Sequence, residues 1–429
     1  MGRYKSAFLL AGLFLVPALL FAQFNNNTSS PYSRFGLGEL QPNSFGRTTA
    51  MGGASLASRN NQQINFANPA SYTAVDSLGF MFEFGVSSQF SRYSNDLTSM
   101  DALDINFRYF AMNFQITNWL ASSLGLTPYS DVGYDVEVPT EVPNAGNILQ
   151  KYYGEGSLSK AFFGLAIEPV KNISVGANLN YMFGLLNRNS EIFFLDSPGL
   201  YNSQKFESLR LRDFSFSLGA QATIPLSQNQ RLTFAAVFEN PQYTGFYSDI
   251  RSKFIQVQQG TSSVSDSQID TLSLENQISV QFPMSYGAGI SYVKDNSLEI
   301  NADYYRQGWG DINLPGSGNE VLTNLDKFAM GAEWIPNRFS IRSYMNRIAY
   351  RAGAKFERSY LMLEGQQIKD FGITFGVGLP VYRSNSTINI SAELGRKGTK
   401  EHNLVLENYA RLNLSVNLYD LWFIQRRFD

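Results

Sequence analysis

Strand-length runs of alternating apolar and polar residues, turns that alternate with longer connections, and an aromatic, glycine-rich composition predict an all-β chain: a transmembrane antiparallel β-barrel of about 14 strands. Phe, Tyr and Trp make up 14% of the 429 residues, and 35 more are glycine. That balance suits a sheet with membrane interfaces better than a soluble enzyme. Lys and Arg number 34 against 36 Asp and Glu, so no basic field points to nucleic acid. The chain has no cysteine and one histidine, His402. Disulfide, thiol and cysteine-anchored lipoprotein chemistry are thereby removed, together with most histidine-based metal sites. No catalytic, metal or cofactor site is predicted. His402 in "GTKEHNLVLEN" has no marked serine partner, and "GRTTAMGGAS" lacks the Gly-Lys-Ser/Thr of a phosphate loop.

The first element is the leader, "MGRYKSAFLLAGLFLVPALLFAQ". Arg3 and Lys5 precede an apolar run that contains Pro17 and stops near Ala22, too short for a spanning helix, so residues 1–22 are read as a signal peptide. Residues 23–76 follow without sustained alternation. "SPYSRFGLGEL" mixes Tyr32, Arg34 and Phe35 with Gly36 and Gly38, and "TAMGGASLAS" is rich in small residues. A disordered tail would be more charged and less aromatic, so this segment is expected as a plug inside the lumen.

The barrel proper is expected over 77–429. Strands are read at 77–91, 102–117, 119–135, 149–168, 172–187, 206–225 and 230–246, then at 276–293, 297–309, 324–335, 347–360, 368–380, 386–397 and 406–424. In "SVGANLNYMFGL", Val175, Ala177, Leu179, Tyr181 and Phe183 fall on one face and Ser174, Asn178 and Asn180 on the other. The second class belongs to the lumen, as do Glu299, Asn301, Asp303 and Glu393, which can hydrogen-bond the plug. Short turns are read at 117–118, 170–172, 227–230 and 294–297, with polar loops around 136–148, 188–205, 247–275 and 310–323. The connection 336–346 is the exception on the short side. A soluble β-sandwich shares the alternation but not this asymmetry. Trp119, Trp309, Trp334 and Trp422 sit at strand ends, where an aromatic girdle meets lipid headgroups. "NLYDLWFIQRRFD" closes the chain with aromatics, although Asp429 follows Phe428.

The order Gly46-Arg47, Ala50-Met51-Gly52-Gly53-Ala54 and Asn68-Pro69-Ala70 resembles the N-terminal hatch of the FadL-type long-chain fatty-acid transporters. That resemblance implies a fourteen-stranded barrel occluded by a hatch, with Gly52, Gly53, Asn68, Pro69 and Ala70 as its marked residues. It also implies an inward kink in the third strand that opens the wall sideways. Gly125 and Pro128 are the candidates here, because proline cannot donate to the ladder. The wording of "RTTAMGGASLA" and "SPYSRFGLGEL" is similar to a related branch that includes secretion-accessory barrels such as PorV.

Two functions follow as expectations, both in the outer membrane of a Gram-negative bacterium and neither enzymatic. One is passive uptake of a hydrophobic small molecule or lipid of the fatty-acid kind, through a hatch-gated lumen and a lateral opening. The other is a non-transporting accessory barrel with a protein partner in a secretion or assembly complex. Outer-membrane lipids surround the barrel in both.

Overall fold

The computed structural model describes residues 27–143, 146–196, 202–240, 242–255, 272–310, 312, 321–382 and 384–421. The leader, most of the loop at 247–275, Trp422 and the aromatic C-terminus lie outside them. Fourteen antiparallel strands form a closed barrel. The first six are β1 Gly79–Ser94, β2 Ser99–Thr117, β3 Leu120–Val142, β4 Gly146–Val170, β5 Ile173–Phe194 and β6 Asn202–Ser227. Two interrupted strands follow, β7 (Gln230–Glu239, then Gln242–Ile255) and β8 (Leu272–Phe282, then Ser285–Lys294). The rest are β9 Leu298–Gln307, β10 (Val321–Leu322, then Leu325–Trp334), β11 Ala349–Leu363, β12 Gln366–Pro380, β13 Thr387–Lys397 and β14 Leu406–Leu421. Closure is complete: β14 pairs with β1 from Leu406↔Ser94 to Leu421↔Gly79.

Burial along the strands is inverted relative to a water-soluble sheet. Leu179 is 51% exposed and Asn180 is fully buried. The same inversion recurs at Phe216 with Ser215, Met330 with Ala329, and Leu412 with Arg411. An outward apolar band of this kind requires hydrocarbon around it, and closure leaves no edge amide without a partner there.

The wall is uneven in height. β3 to β6 run for 23, 25, 22 and 26 residues, whereas β9 has 10 and β13 has 11. A tilted strand crosses a bilayer with about 9–11 residues. The surplus of β3 to β8 rises beyond the outer end as a tall wall. Among the described residues the polar stretches at 136–148 and 188–205, expected as loops, are therefore mostly strand, since β3 runs to Val142, β4 starts at Gly146, β5 runs to Phe194 and β6 starts at Asn202. Tight turns gather at the inner end: Asp295 and Asn296 take φ of 54° and 50°, a pair of left-handed residues that lets two strands reverse at once. One tight turn, Glu364-Gly365, also occurs at the outer end.

Residues 27–78 run inside the ring. They form a 3-10 turn at Pro31–Arg34, a two-residue strand Glu39–Leu40, a one-turn helix α1 Gly46–Thr49 and a second 3-10 turn at Pro69–Ala74. Side chains from opposite walls hold them, which only the lumen permits. An outer apolar cluster joins Tyr32 and Leu37 to Val132, Leu158, Leu211, Trp309 and Tyr360. An inner one joins Phe45, Ile64, Phe66 and Tyr72 to Tyr109 and Phe162. Phe45 stacks on Tyr109 with ring centroids 3.8 Å apart. Of the girdle tryptophans, Trp119 and Trp334 are exposed at the inner rim, but Trp309 is fully buried in the outer cluster, 4.9 Å from the Tyr360 ring. A strand-end position does not say which face of the wall a residue takes.

Candidate functional site

Asn68-Pro69-Ala70 seats the luminal segment on β5 and β6. The Asn68 carboxamide oxygen accepts from the Ala70 amide at 3.1 Å, which caps the 3-10 turn. Its Nδ2 donates to the carbonyls of Leu56 at 2.9 Å and Ala220 at 3.3 Å. Pro69 suits the first position, where an amide would have no partner. The wall is glycine opposite this turn: a Cβ on Gly219 would lie 2.1 Å from Asn68 Oδ1, and one on Gly176 2.6 Å from the Pro69 carbonyl carbon. Ser174 Oγ donates to the Ala70 carbonyl at 2.8 Å, and Tyr72 Oη to Asn178 Oδ1 at 2.9 Å.

A second seat lies across the lumen. Met51 and Gly52 rest on Gly331 and Gly353, where an added Cβ would come within 2.3 Å of their backbone. Gly52 itself has φ +69°, and a Cβ there would fall 2.4 Å from the Ala354 carbonyl oxygen, so the site accepts only glycine. The Gly52 amide donates to Thr374 Oγ1 at 2.8 Å, and that hydroxyl donates to the Ala50 carbonyl at 2.9 Å. Gly53, at φ +80°, completes the turn.

Between the seats stands Arg47 on α1. Its Nε and Nη2 donate to Glu333 at 2.7 and 2.8 Å, and Nη2 also reaches Glu299 at 2.7 Å. Arg351 joins Glu333 at 2.6 Å, and Ser58 donates to Glu299 at 2.8 Å. Burial works against the Arg47 charge, but the two carboxylates outweigh it and hold the guanidinium above its usual pKa. Further ion pairs tie Glu39 to Lys397 at 2.8 Å and Arg59 to Glu168 at 2.6 Å. Asp303 accepts from the amides of Ser55 and Leu56 at 2.5 and 2.8 Å.

The third seam is in the wall. The β2–β3 ladder runs from Thr117↔Leu120 to Phe110↔Leu126 and stops there. β3 continues on β4, with its register shifting by a residue between Pro128 and Ser130. Gly125 is the last close approach, since a Cβ on it would lie 2.3 Å from the Phe110 carbonyl oxygen. Beyond it the chain's own N-terminal stretch fills the space. Glu39 and Leu40 pair with Asp131 and Ser130 of β3, and the Gln41 amide donates to the Tyr129 carbonyl at 2.9 Å. On the β2 side, the amide and hydroxyl of Ser29 donate to Asp104 at 3.1 and 2.7 Å, and Arg108 donates to Gln41.

Below the outer apolar cluster is a cavity of about 140 Å³. Its lining is mixed: Lys160, Lys327, Lys355, Lys397 and Arg411 face Glu39, Glu239, Asp303, Glu357 and Asp370, beside a larger apolar share that includes Leu56, Phe66 and Leu325.

The structure thus brings Gly52, Gly53 and Asn68 to Ala70 into the lumen and Gly125 and Pro128 to the end of the β2–β3 ladder. Of the polar residues expected to face the plug, Asn178, Glu299 and Asp303 bond it directly, whereas Glu393 turns to Lys355 at 2.7 Å. Arg47 was part of the recognised motif without being singled out as a hub. Arginine beside a small-residue run, facing a barrel with inward acids, was the available signal. His402 lies on an exposed outer connection, its ring nitrogen 3.4 Å from Gln366 Nε2.

Solved structures share this architecture. The toluene transporter TodX of Pseudomonas putida matches with a TM-score of 0.59 at 14% identity, over 90% of this chain and 100% of that one. The toluene transporter TbuX of Ralstonia pickettii matches at 0.58 and 14%, over 88% and 99%. A Pseudomonas aeruginosa FadL homologue matches at 0.56 and 11%, over 90% and 100%. At such identities the likeness is one of fold. Among curated proteins none matches the sequence significantly. The family model described as BamG matches residues 5–429, nearly the whole length, and the chain with its fourteen-stranded barrel belongs to the BamG family.

Proposed function

We propose that this chain is a permanently plugged barrel of the Gram-negative outer membrane, acting as a non-transporting subunit of a larger outer-membrane assembly. The buried ion pairs that hold the luminal segment carry this reading. The cavity of about 140 Å³ has the size that holds one benzene when its walls are apolar. Here charged groups held in ion pairs, such as Lys160 with Glu239 and Lys355 with Asp370, share the lining, and a solute that parted them would leave buried charges unpaired at a cost of several kcal/mol each. The plug is also fixed on every side, through Arg47, Arg59 and Glu39, and moving it would strand buried charges. BamG family membership supports an accessory role, and the resemblance of the N-terminal run to accessory barrels such as PorV is in line with it.

A second reading, passive uptake of hydrophobic compounds, is favoured by one observation: the β2–β3 ladder ends beside Pro128, and solved barrels of the same fold are titled toluene transporters. In that reading the hatch around Gly52, Gly53 and Asn68 to Ala70 shifts, and the solute leaves between β2 and β3. One paired experiment separates the two. The chain is purified from native membranes in mild detergent, and uptake of labelled fatty acid and of toluene is measured in cells depleted of it. A stoichiometric protein partner with unchanged uptake is expected; a partnerless barrel whose depletion lowers uptake would reverse the choice.

A further inference from the structure

Inner connections of this barrel are mostly tight turns, but 335–348 between β10 and β11 is long and carries apolar side chains into the open. Phe339 is 86% exposed and Ile341 97%, and Tyr382 on the adjacent inner connection is 70% exposed. The two connections are joined by the Tyr344 hydroxyl, which donates to the Pro380 carbonyl at 3.2 Å. Residues 335–348 contain Arg338, Arg342 and Arg347 and no acidic residue. Arg338 and Phe339 line a vestibule of about 710 Å³ roofed by Asn60 to Gln63, where Arg47, Arg347 and Arg351 stand with the carboxylates Glu83, Glu333 and Asp420 and leave an excess of positive charge. Arg338 also borders an adjoining space of about 390 Å³ with Arg59 and Arg231. Arg59 is neutralised by Glu168, whereas Arg231, Arg338 and Arg342 form no ion pair among the described residues.

We propose that this inner-face patch docks an acidic, aliphatic segment of a periplasmic polypeptide, with aliphatic side chains on Phe339, Ile341 and Tyr382 and carboxylates on Arg338, Arg342 and Arg231. The inference rests on the accessory reading above and names the chemistry of one partner. Charge complementarity selects the occupant. The chain's own last residues, 422–429, carry Arg426 and Arg427 against Asp429 and have the wrong sign. A lipid surface fits less well, because Phe339 borders the aqueous vestibule beside Arg338, whereas the neighbouring Trp334 takes the exposed face of the wall.

The test uses the full chain in phosphatidylcholine nanodiscs and the anisotropy of a fluorescent peptide of alternating Glu and Leu, with the Lys-Leu peptide as control. Saturable binding of the acidic peptide alone is expected, weakened about tenfold in Arg338→Glu/Arg342→Glu and about fivefold in Phe339→Ser/Ile341→Ser. Equal binding of both peptides, no saturable binding, or no effect of either variant overturns the proposal. Phe339, Ile341 and Arg342 are exposed and Arg338 is half-buried, and resistance of the barrel to SDS without heating verifies that each variant is folded. A dye on Ile341→Cys, in this cysteine-free chain, is expected to report water before peptide is added; a lipid-like signal would also overturn it. If the accessory partner still co-purifies with Phe339→Ser/Ile341→Ser, this docking site fails while the accessory reading stands. If the chain has no stable partner yet binds the peptide, the docking site stands and the accessory reading fails.

Discussion

Arg47 is the residue on which the luminal segment is most exposed to loss. Replacing it by Met leaves Glu299 and Glu333 buried with Arg351 as their remaining guanidinium, and breaking a buried pair from one side costs about 3–5 kcal/mol. Arg47→Met is expected to make residues 45–70 accessible to protease while the barrel stays closed. Gly353→Val acts sterically, since its Cβ would lie 2.3 Å from the Gly52 nitrogen, and the same protease assay should report displacement of the 51–53 turn. Acid should act on Glu39. Burial raises its carboxyl, but the Lys397 ammonium outweighs burial and holds the folded pKa below the usual glutamate value. Such a group contributes stability that is present above its unfolded pKa, near 4.5, and is lost as pH falls through the folded value. Protection from hydrogen exchange around Leu40, taken relative to the intrinsic rate at each pH, should therefore be high at pH 6 and fall below about pH 4. Little of this ionic detail was legible in the sequence. Alternation assigned Glu299 to the lumen because parity is local. Its partner lies 252 residues away, and no local pattern encodes that pairing.

Elements were easier to read, and their errors have physical causes. Strand number and order followed from period-two alternation, because lipid outside and polar groups inside impose it on every strand. Strand length did not, because beyond the bilayer neither face must be apolar, and the tops of β3 to β6 look like polar loops. Trp309 failed for a related reason, as the lumen of this barrel has an apolar storey of its own. The seam between β2 and β3 makes an elemental prediction. Its missing ladder is replaced by residues 27–41, so deleting them should leave β3 unpaired on that side. The amides of Asp131 and Gly133, which face that stretch, are then expected to exchange at least about a hundredfold faster, with the β1–β2 ladder unchanged. In the intact chain a Ser29→Cys/Asp104→Cys pair should oxidise readily and tie this stretch to β2. Uptake that persists with the bond formed would exclude passage at that seam.

At the scale of the whole molecule the barrel is asymmetric in height and finished at both ends differently. A tall wall stands at the outer end, and one long connection with exposed aromatics and arginines stands at the inner mouth. Both are surfaces beyond the needs of a simple pore, which agrees with a subunit that works through contacts. The glycine seats carry one further consequence, for the order of events. Arg47 takes partners 252 and 286 residues later in the chain, and Ser30 reaches Glu407. During synthesis and export the luminal segment emerges early, and Arg47 must stay hydrated until β9 and β10 arrive. Its desolvation is then coupled to the joining of β14 to β1, so the last ladder to form is also the step that drives water from around the earliest-made charges. Sealing therefore completes closure, and a variant that cannot seat its luminal segment should close around a hydrated lumen.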